Sequence, residues 1–263
     1  MKIALAWQHP AAISRANNVL WNGLARALQI VLHFVFVPVY IHLLGPDSYG
    51  LVVLSATLMT LLMVLDQFMN AVLVREFGQD NGVEAETPRL WSLLAGLETL
   101  ALGAAGVVAL ALALLGPMLT RHWAGAGPIS SLTLLHVFII MGVMVGVQLP
   151  GMLYASGLQG LQRLRLLAII RIIWTPLYYG GGVVAMLLIE RNVLVLFAWQ
   201  SIAFIALAVL LRVLLHKTMP PLPADIKVPA MALPRIWRLG AGAAMLGLSA
   251  SIVGQIDKIF VAA

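Results

Sequence analysis

The chain has 263 residues, of which 62% are hydrophobic and 10% are charged, and its mean hydropathy is +0.99. This composition excludes an ordinary soluble domain and predicts a polytopic membrane protein. The net charge of +6 does not indicate nucleic-acid binding, because the cations fall at the ends of apolar segments, where anionic lipid headgroups account for them. The absence of cysteine excludes disulfides and thiolate metal sites.

Six apolar segments lie between polar breaks, and each is long enough to cross about 30 Å of hydrocarbon as a helix. They cover residues 17–42, 50–74, 91–115, 130–154, 166–188 and 193–215. None alternates between polar and apolar residues as a barrel strand does. The predicted fold class is therefore all-α, a polytopic transmembrane helical bundle.

Lys and Arg are distributed unequally between the two sets of loops, and this asymmetry predicts the orientation. One set holds Lys2, Arg15, Arg75, Arg89, Arg163, Arg165, Arg212, Lys217, Lys227, Arg235 and Arg238. The opposite set holds only Arg121 and Arg191. The N-terminus is therefore expected in the cytoplasm.

A polar stripe runs through the first apolar segment. Its members are spaced by four, four, three and four residues, so they share one helix face. They are Asn18, Asn22, Arg26, Gln29 and His33. Because a guanidinium at membrane depth costs at least about 2.5 kcal/mol, this face is expected to border a protein interior or a water-filled cavity.

The second segment carries Asp66 and Asn70. At a rise of 1.5 Å per residue, Asp66 lies roughly 12 Å from the cytoplasmic end, about as deep as Arg26. Segments joined by a short loop are antiparallel neighbours, so an ion pair between Arg26 and Asp66 is predicted. The pair either has only a structural role, in which each charge offsets the burial of the other, or forms part of a cationic cavity that receives an anion.

Two deep charges lie further along the chain. Glu98 is about 10 Å into the third segment, where it pairs with a cation, carries protons, or stays protonated among the helices. Arg171, in the fifth segment, either faces the same cavity as Arg26 or snorkels to the interface. The sequence leaves these alternatives open.

The longest polar break is a proline-rich stretch, residues 216–234, which is typical of an extended cytoplasmic linker. Residues 1–215 precede it as a six-helix bundle. Residues 235–263 follow as a seventh segment, with Asp257 and Lys258 toward its outer end. Because the sequence stops among apolar residues, we expect an N-terminal portion of a two-bundle protein, inactive in transport alone, whose seventh segment opens the second bundle.

Three stretches of the sequence resemble one family. They are residues 18–50, reading NVLWNGLARALQIVLHFVFVPVYIHLLGPDSYG, residues 157–171, reading GLQGLQRLRLLAIIR, and the Asp257-Lys258 pair. Together they resemble the Wzx-type polysaccharide flippases of the multidrug, oligosaccharidyl-lipid and polysaccharide (MOP) exporter superfamily. One departure is Asp66-Gln67-Phe68, where relatives commonly carry Asp-x-Gly.

The resemblance implies a MATE-like fold in the bacterial cytoplasmic membrane. It further implies alternating-access translocation of an undecaprenyl-pyrophosphate-linked oligosaccharide for polysaccharide, lipopolysaccharide or O-antigen biosynthesis. The implied partners are this polyprenyl-linked substrate, membrane lipids and the polysaccharide polymerase machinery, with no cofactor, metal or nucleic acid. The expected cavity residues are Asn18, Asn22, Arg26, Gln29, His33, Asp66, Asn70, Glu98, Arg171, Asp257 and Lys258.

Two alternative functions remain. A multidrug or cation antiporter of the same superfamily predicts an acidic first bundle, whereas the first segment here is cationic. A membrane-embedded glycosyl- or acyltransferase acting on a lipid-linked sugar needs a clustered acidic or histidine site at a membrane face. The sequence has neither a phosphate-binding loop nor a His-Glu-x-x-His motif, so no enzymatic activity is expected.

Overall fold

A computed structural model describes the backbone of residues 10–78, 87–123 and 131–221. These residues form five α-helices and no β-strand. The helices are α1 Pro10–Gly78, α2 Thr87–Trp123, α3 Ser131–Gly160, α4 Leu164–Leu188 and α5 Val193–Thr218. Each is long and apolar enough to cross a membrane. The prediction of an all-α, membrane-type chain is therefore confirmed for this part of the protein.

α1 contains the first two predicted segments, joined at a break in the helix. The break is at Gly45, where φ is 78° and ψ is 163°, a conformation that glycine adopts without strain. In a straight helix Arg26 and Asp66 would lie about 60 Å apart. Both nevertheless interact electrostatically with the guanidinium of Arg171. α1 therefore folds back at Gly45 into two arms, a first arm of residues 10–44 and a second arm of residues 46–78.

α3 lies at the centre of the bundle, where α1, α2 and α5 all pack against it. Its buried side chains include Phe138, Met141, Met144 and Leu153, which form the middle of the hydrophobic core. The contact with α2 is close because Gly146 faces the backbone of that helix. The core thus depends on α3, and α1 and α4 add a second layer.

The first arm packs against α4. The hydroxyl of Tyr40 donates a hydrogen bond to the carbonyl oxygen of Tyr179 at 3.0 Å, and the ring of Phe36 stacks on the Tyr179 ring with centroids 5.7 Å apart. Nearer the start of both helices, the Arg165 guanidinium lies 5.7 Å from the centroid of the Trp21 ring. The N-terminal part of the first arm thus contacts the N-terminal part of α4, and the C-terminal part of the arm contacts the C-terminal half of α4. The first arm and α4 therefore run parallel.

The end of α5 corrects one predicted boundary. The predicted linker begins at residue 216, but the helix continues to Thr218, since His216 and Lys217 form its last turn. Cations in a last turn are favoured by the helix dipole, so the helix extends beyond the apolar run. Residues 222–263 lie outside the described part, and with them most of the predicted linker, the seventh segment, Asp257 and Lys258.

Candidate functional site

Three charged side chains converge from three stretches of helix, and we call them the arginine cluster. They are Arg26 on the first arm, Asp66 on the second arm and Arg171 on α4. The charges of both Arg26 and Asp66 act on Arg171, and Arg171 in turn is the charged group that acts on Asp66. With both arginines and the aspartate ionised, the cluster carries a net charge of +1.

The predicted ion pair between Arg26 and Asp66 is not formed. In the described ranges the ion pairs join Arg89 to Glu76 and Arg212 to Glu98, and the imidazole of His216 lies beside the second pair. The reason is the packing of α4 along the first arm, which brings a second cation to the carboxylate. Arg26 and Asp66 both act on Arg171, a partner that the prediction from their depths did not include.

The arginine cluster is open on one side. The side chains of Arg26 and Arg171 are exposed, and that of Asp66 is half-buried. Apolar side chains such as Leu24 and Ile30 flank Arg26 and are themselves exposed, as expected for a surface in contact with lipid. Because hydrocarbon cannot solvate a guanidinium, the open side of the cluster must face water, an anion or another polar surface.

The other members of the polar stripe differ in their contacts. Asn22 donates a hydrogen bond from its side-chain amide to the carbonyl oxygen of Asn18 at 2.8 Å, so its amide is partly satisfied within the helix. His33 places Nδ1 3.3 Å from the hydroxyl oxygen of Tyr179. The side chain of Gln29 is exposed. Within the stripe, His33 therefore joins Arg26 in interacting with α4.

Tyr179 was not among the residues expected at the site. Its hydroxyl contacts His33, its ring stacks on Phe36 and its carbonyl accepts from Tyr40. The sequence does contain a signal, since Tyr178 and Tyr179 immediately precede three glycines in the middle of an apolar segment. The sequence does not show that α4 packs on the first arm, so it does not distinguish Tyr178 and Tyr179 from tyrosines at the membrane interface.

Asn70 lies at a packing contact between the second arm and α3. Its side-chain amide donates to Ser156 Oγ at 3.2 Å and to Gln159 Oε1 at 3.4 Å. Interhelical hydrogen bonds of this kind replace water as partners for polar groups inside a membrane. Asn70 therefore has partners within the bundle, unlike the exposed guanidinium groups of the cluster.

Glu98 is directed to α5. Its Oε1 accepts from Arg212 Nε at 3.2 Å and lies 3.9 Å from His216 Nε2. Of the alternatives that the sequence left open, pairing with a cation is the one observed. Glu98 and its partners thus form a group separate from the arginine cluster.

No cluster of three or more His, Asp or Glu side chains that could hold a metal ion occurs within the described ranges. Comparisons with known proteins gave no match to any family model, curated protein or solved structure.

Proposed function

We propose that this protein is a membrane flippase for a polyprenyl-pyrophosphate-linked oligosaccharide, and that the arginine cluster receives the pyrophosphate. The observation that carries the proposal is a pair of exposed guanidinium groups on apolar helices, Arg26 and Arg171, of which Arg171 also interacts with the half-buried carboxylate of Asp66. Guanidinium groups bind phosphate oxygens in a bidentate way, and two of them suit a diphosphate better than a monophosphate. The sequence resemblance to Wzx-type flippases supports the same substrate class.

Asp66 has a distinct role in this proposal. Its charge balances one of the two arginines, so the empty cluster carries +1 rather than +2 and tolerates the membrane more easily. A diphosphate that enters brings more than one negative charge and competes with Asp66 for Arg171. Asp66 therefore holds Arg171 in position when no substrate is bound, and it facilitates release.

The net charge also separates the proposal from its alternatives. A cation antiporter needs a surplus of carboxylate at its site, whereas the cluster has a surplus of guanidinium. A glycosyl- or acyltransferase needs a nucleophile or general base next to the anion. The carboxylate at this site, Asp66, interacts with the guanidinium of Arg171, so in this proposal it neutralises a cation and does not act as a base.

Binding by the purified chain in lipid nanodiscs is the direct test. Undecaprenyl pyrophosphate, undecaprenyl monophosphate and undecaprenol are compared as ligands by native mass spectrometry. We expect the pyrophosphate to bind tightest. The variants R26Q and R171Q each lose a charge-assisted contact of about 1.5–3 kcal/mol, so each should weaken binding about tenfold or more. R26K keeps the charge but lacks the planar fork, so it should bind with intermediate affinity.

Arg163 provides the matched control. It is an exposed arginine in the turn between α3 and α4, outside the cluster, so R163Q should bind like the wild type. Equal affinity for all three lipids, or unchanged binding by the R26Q/R171Q double variant, would contradict the proposal. Tight binding of a quaternary ammonium dye would favour the antiporter, and turnover of a lipid-linked sugar donor would favour the transferase.

A further inference from the structure

A second group of polar and aromatic side chains connects α2, α3 and α5, and we call it the clasp. It consists of Trp91 and Glu98 on α2, Tyr154 on α3, and Arg212 and His216 on α5. Glu98 Oε1 accepts from Arg212 Nε at 3.2 Å. The rings of Trp91 and His216 stack with their centroids 5.2 Å apart and their planes inclined by 2°. Tyr154 interacts with both Glu98 and Arg212.

The clasp bridges two helices whose backbones do not touch. Both α2 and α5 pack on α3, yet over the described ranges no Cα of α2 comes within 8 Å of a Cα of α5. Side chains therefore make the direct connection between them. Trp91 extends it beyond the helix, since its Nε1 donates to the carbonyl oxygen of Pro220 at 3.1 Å. The segment that leaves α5 is thus held to α2 by the residue that stacks on His216.

One oxygen of Glu98 faces two basic residues of α5. Arg212 and His216 lie one turn apart on α5, and both are directed to Oε1, His216 with its Nε2 at 3.9 Å. With a neutral imidazole, the pair of Glu98 and Arg212 sums to zero. With an imidazolium, the loss of hydration and the repulsion from Arg212 are opposed by attraction to Glu98, a cation–π contact with Trp91 and a favourable interaction with the C-terminal dipole of α5.

We propose that His216 and Glu98 form a proton-binding site, and that proton uptake by His216 draws α5 and the segment that follows it toward α2. The charged groups that act on His216 are Glu98 from α2 and Arg212 from its own helix, and Tyr154 is the titratable group contributed by α3. Histidine is the side-chain type whose ordinary pKa lies within the physiological range. This site is independent of the flippase proposal.

Because the sequence contains no cysteine, spin labels attach only at introduced thiols, and the distance between two labelled positions can be measured without background labelling. Nitroxide labels at L102C on α2 and V209C on α5, both exposed positions, report the separation of these helices in nanodiscs by electron paramagnetic resonance. We expect the distance distribution to be narrower and shorter at about pH 5.5 than at about pH 8.

Substitutions at His216 decide the origin of the change. H216Q keeps a polar side chain without a titratable charge, so it should give the broad distribution at both pH values. H216K carries a permanent charge, so it should give the narrow distribution at both. The control H136Q alters an exposed histidine of α3 outside the clasp and should behave like the wild type. A wild-type distribution that ignores pH, or a pH response that survives in H216Q, would overturn the proposal.

Discussion

Replacing Gly146 by alanine is expected to force α2 and α3 apart. A Cβ at Gly146 would lie 2.6 Å from the carbonyl oxygen of Ala105, and a Cβ at Gly142 would lie 3.0 Å from that of Ala109. Backbone oxygens cannot rotate away, so the helices must separate by at least about 0.5 Å at Gly146 to reach van der Waals contact. Small residues four apart on both helices are the usual means of such close approach in membranes.

The magnitude follows from two opposing effects. Overpacking a close contact costs about 1–3 kcal/mol, while alanine gains up to about 1 kcal/mol over glycine in helix propensity. Gly103 of α2 supplies the matched control, because a Cβ there meets nothing within 4 Å. Since G103A gains the same propensity without the clash, the propensity effect cancels in the comparison. The free energy of unfolding of G146A should be lower than that of G103A by about 1–3 kcal/mol.

Equilibrium unfolding in mixed micelles, followed by tryptophan fluorescence, measures this difference. G103A should match or exceed the wild type in stability, and G146A should fall below G103A. If G146A proves as stable as G103A, then α2 and α3 are not in the close contact described, and the central position of α3 in the bundle is refuted as well.

Two further substitutions test local contacts. Asn192 caps α5 by accepting a hydrogen bond from the backbone N–H of Leu194 at 3.1 Å, so N192A should lower the free energy of unfolding by about 1 kcal/mol in the same micelle assay. Y40F removes the hydrogen bond to the Tyr179 carbonyl and should lower the free energy of unfolding by about 0.5–1.5 kcal/mol. Y49F is its control, because the Tyr49 hydroxyl has no hydrogen bond to another described residue; an equal loss in Y49F would contradict the assignment.

The positions of the helices were largely predictable because membrane helices are specified by length and hydropathy. The predicted segments 166–188 and 193–215 correspond to α4 Leu164–Leu188 and α5 Val193–Thr218. The start of α5 agrees because Asn192 caps the helix next to the first apolar residue. α2 extends further than predicted, to Thr87–Trp123, because a helix continues through polar ends that hydropathy excludes.

The contents of the arginine cluster were only half predictable. The rise per residue puts Arg26 and Asp66 at one depth, and that argument needs no tertiary structure. The partner of Asp66 depends on which helix packs along the first arm, and α4 does so through aromatic contacts such as that of Phe36 with Tyr179. Similarly, Gly142 and Gly146 form a Gly-x-x-x-Gly motif in the sequence, but the motif does not say which helix approaches it.

Charge balance distinguishes the two polar groups of the bundle. In the clasp, Glu98 and Arg212 cancel and the carboxylate has its cation at hydrogen-bond distance, so the group is stable without a ligand. In the arginine cluster, the carboxylate of Asp66 interacts with Arg171, and the two guanidinium groups, one more than the carboxylate can neutralise, are exposed among apolar side chains. Only the second arrangement is completed by an external anion. R212Q should therefore leave pyrophosphate binding unchanged while R171Q weakens it, and equal weakening by both variants would show that general positive charge, not the cluster, attracts the anion.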